Sequence, residues 1–243
     1  LLFFNSKGDQ VGGWPELGKW SGNFDWKKVA KNFMVPKDAA SAKVVFGLYN
    51  CTGTIYIDNI VLSPVEDTKS TDPYNLLENG GFEIWEKWAY GGSTDWGIVF
   101  DDVKEGNGAI RINNVVPIWS FASQSVPLDG SKVKKIKLSG YIKSNNVVPG
   151  VKAWQLARVN IEFKDSKGKR IDGWPILEAF SGSFPWKYVE KTFDVPNDTS
   201  RVDVFAGLLE CSGEVWFDGL KLEAFDSKGG KIRSGGYFVT DTK

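Results

Sequence analysis

The chain has 243 residues, with 30 basic side chains, 30 acidic side chains and no histidine. This balanced charge gives no indication of a broad basic surface for nucleic acid or anionic membranes, and no apolar run approaches the roughly 20 residues that span a bilayer. The absence of histidine excludes histidine-based catalytic triads, general bases and metal ligands. We therefore expect no nucleic-acid partner and no membrane insertion.

Residues 26–35 alternate apolar and polar side chains, as half-buried strands do. We predict strands at residues 1–4, 26–35, 42–48 and 54–62, separated by turns that contain glycine, asparagine and proline. No helical period is visible in this part of the chain. With 27 glycines, 11 tryptophans and 16 phenylalanines overall, the composition is typical of an all-β protein.

The second part of the chain continues this pattern. Further strands are predicted at 97–100, 109–113, 120–126, 133–143, 151–163 and 201–209. The last of these is apolar on both faces, with Phe205 and Leu209 on its second face. That pattern suits a central strand that is covered or that faces a ligand.

The predicted strand at 151–163 has two distinct faces. One face is apolar, and the other carries Trp154, Leu156, Arg158, Asn160 and Glu162. A polar row of this kind is either an ordinary solvated surface or a sugar-binding surface, because pyranose rings stack on tryptophan and their hydroxyls bond polar side chains. Trp174, in a Gly-Trp-Pro loop, is in the same way either a second stacking platform or a loop anchor.

A long internal repeat relates the two parts of the chain. Residues 1–62 align without a gap with residues 161–222, and about 26 of these about 62 pairs are identical, including Trp14 with Trp174. A repeat of this length is a duplicated piece of fold rather than a solenoid unit. Its two cysteines, Cys51 and Cys211, occupy equivalent positions, and we expect both to be buried small residues beside a turn.

The duplication is incomplete, because the segment 74–159 has no counterpart ahead of the first copy. We predict the back half of a first module at 1–66, a linker at 67–73, a complete module at 74–226 and a tail or linker at 227–243. Half a module leaves open sheet edges and an uncovered apolar face. We expect either that the parent protein continues upstream of Leu1 or that another chain supplies the missing strands.

Several segments in order resemble the carbohydrate-binding modules of families 4, 9, 16 and 22. They are the Asn-Leu-Leu-x-Asn-Gly-x-Phe-Glu run at 75–83, the Phe-x-Asp-Ser-Lys-Gly-Lys run at 163–169, the strand from Trp186 to Pro196 and the closing strand at 213–222. The resemblance covers 74–226 and the back half of the pattern in 1–66. It implies an antiparallel β-sandwich jelly roll of about 150 residues. Such modules are accessory parts of secreted bacterial polysaccharide-degrading enzymes, often in tandem.

The resemblance also implies a groove lined by aromatic and amide side chains. It indicates Trp96 and Trp119 in loops of the front half, Gln124 on the following strand, and the polar face at 154–162. Together with Trp174, the candidate carbohydrate-binding residues are Trp96, Trp119, Gln124, Trp154, Arg158, Asn160, Glu162 and Trp174.

A structural Ca²⁺ away from the groove is a further implication of the resemblance. Its ligands would be Glu83, in the opening segment, and Asp218, in the closing strand. Carboxylate and carbonyl oxygens suit this hard cation. The alternative is that Asp218 caps a turn and Glu83 is exposed. In the first copy Asp58 matches Asp218, but the matching glutamate would lie before Leu1.

The expected function is non-catalytic binding of β-linked plant glucan, mannan or xylan, which would target an attached glycoside hydrolase to its substrate outside the cell. One alternative is a structural spacer or cell-surface adhesion module without a sugar site. Another is a jelly-roll glycosidase or polysaccharide lyase. However, no Glu-x-Asp-x-x-Glu run places carboxylates along one strand face, and no local motif unites Tyr141, Lys143 and Arg158.

Overall fold

The computed structural model describes residues 1–31, 33, 35–64, 72–84, 86–93 and 95–234. The chain divides into two compact units, Leu1–Asp67 and Thr68–Lys243. Within the described ranges all regular secondary structure is β-strand, which confirms the predicted all-β class. No described segment forms a helix that could cross a membrane. Most of the predicted linker at 67–73 lies outside the described residues.

The first unit contains a small antiparallel sheet. Its strands are β1 (Leu2–Phe4), β2 (Gln10–Val11) and β3 (Ser41–Lys43), in the order β2-β1-β3. The predicted strand at 1–4 is therefore present, whereas the one at 42–48 is reduced to its first residues. The predictions at 26–35 and 54–62 are wrong for the described residues there, which form no strand. An extended segment becomes a strand only beside a neighbour that completes its hydrogen bonds.

The second unit is an antiparallel β-sandwich of nine strands. They are β4 (Ala89–Gly91), β5 (Trp96–Val99), β6 (Ala109–Pro127), β7 (Lys135–Val148), β8 (Ala157–Lys164), β9 (Ile176–Phe180), β10 (Gly182–Asp194), β11 (Arg201–Phe225) and β12 (Lys231–Ile232). The strands predicted at 109–113 and 120–126 are two halves of β6. The predicted tail begins with β12, which pairs with the end of β11.

Strand pairing separates this sandwich into two layers. The front layer has the order β4, second half of β6, first half of β11, β8 and β9. The back layer has the order β5, first half of β6, second half of β11, β7 and β10. The pairing of β6 with β11 is irregular between Leu208 and Gly213, where both strands pass from one layer to the other. Two antiparallel layers linked by strands β6 and β11, which each contribute to both, form the predicted β-sandwich jelly roll.

The apolar core lies between the two layers. Side chains alternate along a strand, so every second residue of β8 and β11 enters this core. The fully buried side chains include Val159, Ile161 and Phe163 of β8, Val204, Ala206 and Leu208 of β11, and Ile136, Leu138 and Ile142 of β7. The predicted apolar face of the strand at 151–163 is therefore confirmed for its second half, since β8 begins only at Ala157.

Candidate functional site

The outer face of the front layer carries polar and aromatic side chains. They occupy the positions of β6, β8 and β11 that alternate with the core residues. Read from β8 across β11 to β6, the rows of paired residues are Arg158–Gly207–Phe121, Asn160–Phe205–Ser123, Glu162–Asp203–Ser125 and Lys164–Arg201–Pro127. We call this set of rows the front face.

An aromatic cluster forms one end of the front face. The ring of Trp119 lies 4.9 Å from that of Phe121 and 6.3 Å from that of Phe205, and the latter two rings are 5.7 Å apart. Trp119 is 48% exposed, so much of its indole faces solvent. Gly91 of β4 leaves room for the cluster, because a Cβ there would lie 2.7 Å from the Phe121 ring.

Ion-paired side chains form the other end of the front face. The Asp203 carboxylate accepts a hydrogen bond from Ser125 Oγ at 2.7 Å and from Arg201 Nη2 at 3.2 Å. Glu162 forms an ion pair with Lys164 at 2.5 Å and a longer one with Arg170 at 3.8 Å. These contacts hold both carboxylates in defined positions on the face.

Arg170 also connects Trp174 to this end of the front face. Its guanidinium carbon lies 4.6 Å from the centroid of the Trp174 ring, and Trp174 remains partly exposed. Such stacking holds the indole in place by a cation–π interaction. Trp174 is therefore held by Arg170 while part of its indole stays exposed to solvent.

Trp154 and Arg158 lie together at the start of β8. Trp154 belongs to the turn before the strand, where Gln155 N donates to Lys152 O at 2.9 Å, and not to the strand itself as predicted. Its carbonyl accepts a hydrogen bond from Arg158 Nη2. Arg158 is only 5% exposed, and its Nε has no hydrogen-bond partner. Burial lowers the pKa of the Arg158 guanidinium.

The structure does not bring Trp96 to the front face. Trp96 belongs to β5 of the back layer, opposite the core residue Ile112. Its ring stacks on Tyr90 with a centroid separation of 4.0 Å and an interplanar angle of 11°. The sequence interpretation placed Trp96 in a loop beside the groove. Trp96 lies instead in a strand of the back layer, because β5 pairs with the first half of β6.

Gln124 also does not contribute to the front face. It is opposite Val204, a core residue, and its side-chain amide exchanges two 2.8 Å hydrogen bonds with the backbone of Glu78. Gln124 shares the alternation of the buried residues Ala122 and Val126, so it lies on the inward side of β6 and not on the front face. The remaining candidates, Trp119, Trp154, Arg158, Asn160, Glu162 and Trp174, all lie on or beside the front face.

Sequence reasoning missed several residues of the front face, namely Phe121, Ser123, Ser125, Arg201 and Asp203. The sequence did indicate Phe205, because the predicted strand at 201–209 is apolar on both of its faces. For Phe121 and Asp203 no local signal exists, since each becomes part of the face only through its cross-strand partner.

A separate depression of about 420 Å³ lies on the back layer. Its lining includes Lys143, Asn145, Phe184 and Trp216. Lys143 Nζ lies 4.8 Å from the Trp216 ring centroid and also pairs with Asp102, while Trp216 is almost fully buried. The indole is therefore covered by a cation and cannot stack on a sugar ring.

Glu83 and Asp218 meet beside Gly81. A Cβ on Gly81 would lie 3.4 Å from Glu83 Oε1 and 3.9 Å from Asp218 Oδ1, so the two carboxylates border the same small space. Asp218 is fully buried, and its Oδ2 accepts hydrogen bonds from the backbone N–H groups of Lys104 and Glu105, each at 2.8 Å. Burial, with a smaller contribution from the charge of Glu83, raises the pKa of Asp218 to about 6.

The carboxylates of Glu83 and Asp218 supply the hard oxygen ligands that Ca²⁺ prefers. The buried Asp218 carboxylate and the partly buried Glu83 carboxylate repel each other, and a divalent ion would remove that repulsion. In the described part of the chain no cluster of three or more acidic or cysteine side chains is present. Calcium would therefore take its other ligands from backbone carbonyls or water.

No family model matches the chain, and no curated protein matches it. Solved structures with a similar fold include several carbohydrate-binding modules. The xylan-binding CBM22-1 domain of Paenibacillus barcinonensis Xyn10C is 14% identical, with a TM-score of 0.43, covering 62% of this chain and 91% of that domain. A family 16 module is 17% identical, with a TM-score of 0.43, covering 61% of this chain and 99% of that module.

The comparison also finds TmCBM61 in complex with β-1,4-galactotriose, at 17% identity and a TM-score of 0.41, covering 61% of this chain and 97% of that one. The enzymatically active domain of bacteriophage CBA120 tailspike protein 4 is 15% identical, with a TM-score of 0.49. The match covers 65% of this chain but only 22% of the tailspike domain. At such identities and TM-scores, these likenesses determine neither ligand nor activity.

Proposed function

We propose that residues 74–226 form a non-catalytic carbohydrate-binding module that holds a β-linked polysaccharide on the front face. The observation that supports this most strongly is the position of the exposed Trp119 beside the rows of hydrogen-bonding side chains. The flat face of a pyranose ring stacks on an indole, while its hydroxyls bond polar groups alongside. The front face offers both kinds of group on one rigid sheet.

The ion pairs on the front face hold two carboxylates in orientations that suit hydrogen bonds to such a ligand. Glu162 and Asp203 are each held by basic neighbours, so their remaining oxygen lone pairs point in fixed directions. Asn160, between these acids and the aromatic cluster, offers both a donor and an acceptor. Trp154 and Trp174 lie at opposite ends of β8 and extend the binding surface beyond one sugar ring.

The same contacts support binding rather than catalysis. A glycosidase requires one carboxylic acid that donates a proton and one carboxylate that acts as a base or nucleophile. On the front face both candidate acids are engaged in ion pairs. We infer that the module targets an attached glycoside hydrolase to plant glucan, mannan or xylan outside the cell.

We also propose that Glu83 and Asp218 bind a structural Ca²⁺. The ion would neutralise the buried carboxylate of Asp218 and the partly buried one of Glu83, and would tie the opening segment of the module to β11. The raised pKa of Asp218 and the shared space beside Gly81 support this assignment. No role in sugar binding is proposed for this ion, because its ligands belong to the back layer and not to the front face.

Calorimetric titration of the whole chain with soluble β-glucan, mannan and xylan tests the sugar-binding function. We expect enthalpy-driven binding to one of these classes. Absence of binding to all three by a cooperatively folded protein would contradict the proposal and favour the spacer or adhesion alternative.

A further inference from the structure

Two basic side chains meet at Trp154, in the turn that precedes β8. Lys152 is exposed, and its Nζ lies 5.5 Å from the centroid of the Trp154 ring. Arg158 donates a hydrogen bond from Nη2 to the Trp154 carbonyl. The indole itself is 43% exposed. We call Lys152, Trp154 and Arg158 the Trp154 corner, which lies at the aromatic end of the front face because Arg158 and Phe121 share one row.

Arg158 is a buried cation without an anionic partner. Only 5% of it is exposed, and a buried arginine is ordinarily paired with an acid. In the described part of the chain, no carboxylate forms a hydrogen bond or an ion pair with Arg158 or Lys152. A guanidinium has five N–H donors, and here Nη2 bonds the Trp154 carbonyl while Nε has no partner. Donors of Arg158 therefore remain for another acceptor.

The thiol of Cys211 does not balance this charge. It is close enough to interact electrostatically with the Arg158 guanidinium, but burial raises the pKa of Cys211 to about 11, so the thiol is neutral at physiological pH. Cys211 is buried as the sequence predicted, whereas Cys51 of the first unit is exposed, against that prediction. Glu210, an acid that does contact this turn, bonds Gln155 instead. The Trp154 corner thus carries an unbalanced positive charge.

The other end of the front face has a different charge arrangement. Asp203 forms an ion pair with Arg201 at 2.8 Å, and Glu162 forms one with Lys164 at 2.5 Å. An acidic group of a ligand at that end would meet the repulsion of carboxylates already in place. The Trp154 corner is therefore the end of the front face that favours an anionic group.

The turn that carries Lys152 and Trp154 is fixed by its own hydrogen bonds. Lys152 N donates to Gln155 Oε1 at 2.6 Å, and Gly150 N donates to Gln155 O at 3.0 Å. A Cβ on Gly150 would lie 2.3 Å from the carbonyl oxygen of Glu210, so the turn packs directly on β11. The binding groups are thus held in place before a ligand arrives, which lowers the entropic cost of binding.

We propose that the Trp154 corner binds a sugar that carries a carboxylate, so that the front face prefers uronate-bearing polysaccharide to its neutral counterpart. This inference rests on the function proposed above, because it concerns one end of the same surface. The uronate ring packs on the exposed part of the Trp154 indole. Its carboxylate accepts charge-assisted hydrogen bonds from Lys152 Nζ and from the remaining N–H groups of Arg158, and so balances the buried charge.

Calorimetric titration of the whole chain with matched neutral and acidic oligosaccharides tests this preference. The pairs come from β-1,4-glucan and β-1,4-polyglucuronate, from β-1,4-mannan and β-1,4-polymannuronate, and from xylan and glucuronoxylan. In the class that the protein binds, we expect the acidic member to bind at least about tenfold more tightly, and high salt should reduce this ratio.

Two variants locate the preference within the corner. Lys152→Gln and Arg158→Gln should each lower the ratio of acidic to neutral affinity toward equality. Lys228→Gln is the matched control and should preserve the ratio, because it removes an exposed charge from the turn before β12. Circular dichroism checks that each variant is folded. If Arg158→Gln does not fold, the exposed Lys152 alone decides the outcome.

Equal affinity for both members of a pair that binds would overturn this inference but leave the sugar-binding function intact. A preference that persists in both variants would also overturn it, because the acidic group would then be recognised elsewhere. Binding of cellulose sulfate as tightly as polyglucuronate would do the same, since it would indicate attraction to any polyanion. Absence of binding to every probe would contradict the sugar-binding function itself, and with it this inference.

Discussion

Glu162 of β8 lies directly opposite Asp203 of β11, so two carboxylates share one row of the front face. Each is bound by a basic side chain, Lys164 or Arg201. This arrangement places carboxylate acceptors beside the aromatic cluster of the front face.

The first prediction concerns Glu162. Glu162→Gln keeps the shape of the side chain but removes its ion pair with Lys164, so glycan affinity should fall several-fold. Neither the original protein nor the variant should release reducing sugars from glucan, mannan or xylan. Release of sugars by the original protein that is lost in Glu162→Gln would instead identify a glycosidase.

The second prediction concerns Trp119. Trp119→Ala should weaken glycan binding by roughly two- to tenfold, because an aromatic contact contributes about 0.5–1.5 kcal/mol and 1.4 kcal/mol is a factor of ten. Tyr188→Ala is the matched control, since Tyr188 is similarly exposed but lies on β10 of the back layer. Calorimetric titration checks both variants. Equal affinity of the Trp119 variant and the original protein would remove the aromatic cluster from the binding site.

The third prediction concerns calcium. Adding Ca²⁺ should raise the melting temperature of the second unit and EDTA should lower it, because a ligand that binds only the folded state stabilises that state. Glu83→Gln should abolish this response without changing glycan affinity measured under folding conditions. A melting temperature of the original protein that does not depend on calcium would contradict the proposed site.

The fourth prediction follows from the pKa of Asp218, which burial raises from 3.8 to about 6. Between these values the folded state binds a proton that the unfolded state has lost, so stability in EDTA should fall as pH rises from about 4 to about 6. Above this window the loss is complete. Saturating Ca²⁺ should restore stability at neutral pH, because the ion replaces the proton. Melting temperatures measured across this range with EDTA and with Ca²⁺ check the sign.

The fifth prediction concerns the contact between the opening segment and β11. A Cβ on Gly80 would lie 1.9 Å from the carbonyl oxygen of Leu220, and Leu220 N donates to Gly80 O at 2.8 Å. Gly80→Ala should therefore destabilise the protein by about 2–4 kcal/mol. Gly173→Ala is the control, since no atom lies near its Cβ position. Urea unfolding should separate the two variants, and equal midpoints would show that this contact is not required.

The predictions that succeeded used signals contained in short stretches of sequence. Alternation along β8 identified which of its residues enter the core and which face outward, because that period is a property of a single strand. The repeat identified equivalent positions in the two copies, such as Phe3 and Phe163.

The sequence by itself thus determined the all-β class, the duplication, and the outward position of Arg158, Asn160 and Glu162. Only the tertiary structure decided that Phe121, Phe205 and Trp119 meet, and that Gln124 bonds the backbone of Glu78. It also decided that the described residues of the predicted strands at 26–35 and 54–62 form no strand. The physical reason is that cross-strand neighbours are far apart in sequence, and that β6 changes layer within its length. A side chain's face then depends on a pairing partner that local alternation cannot identify.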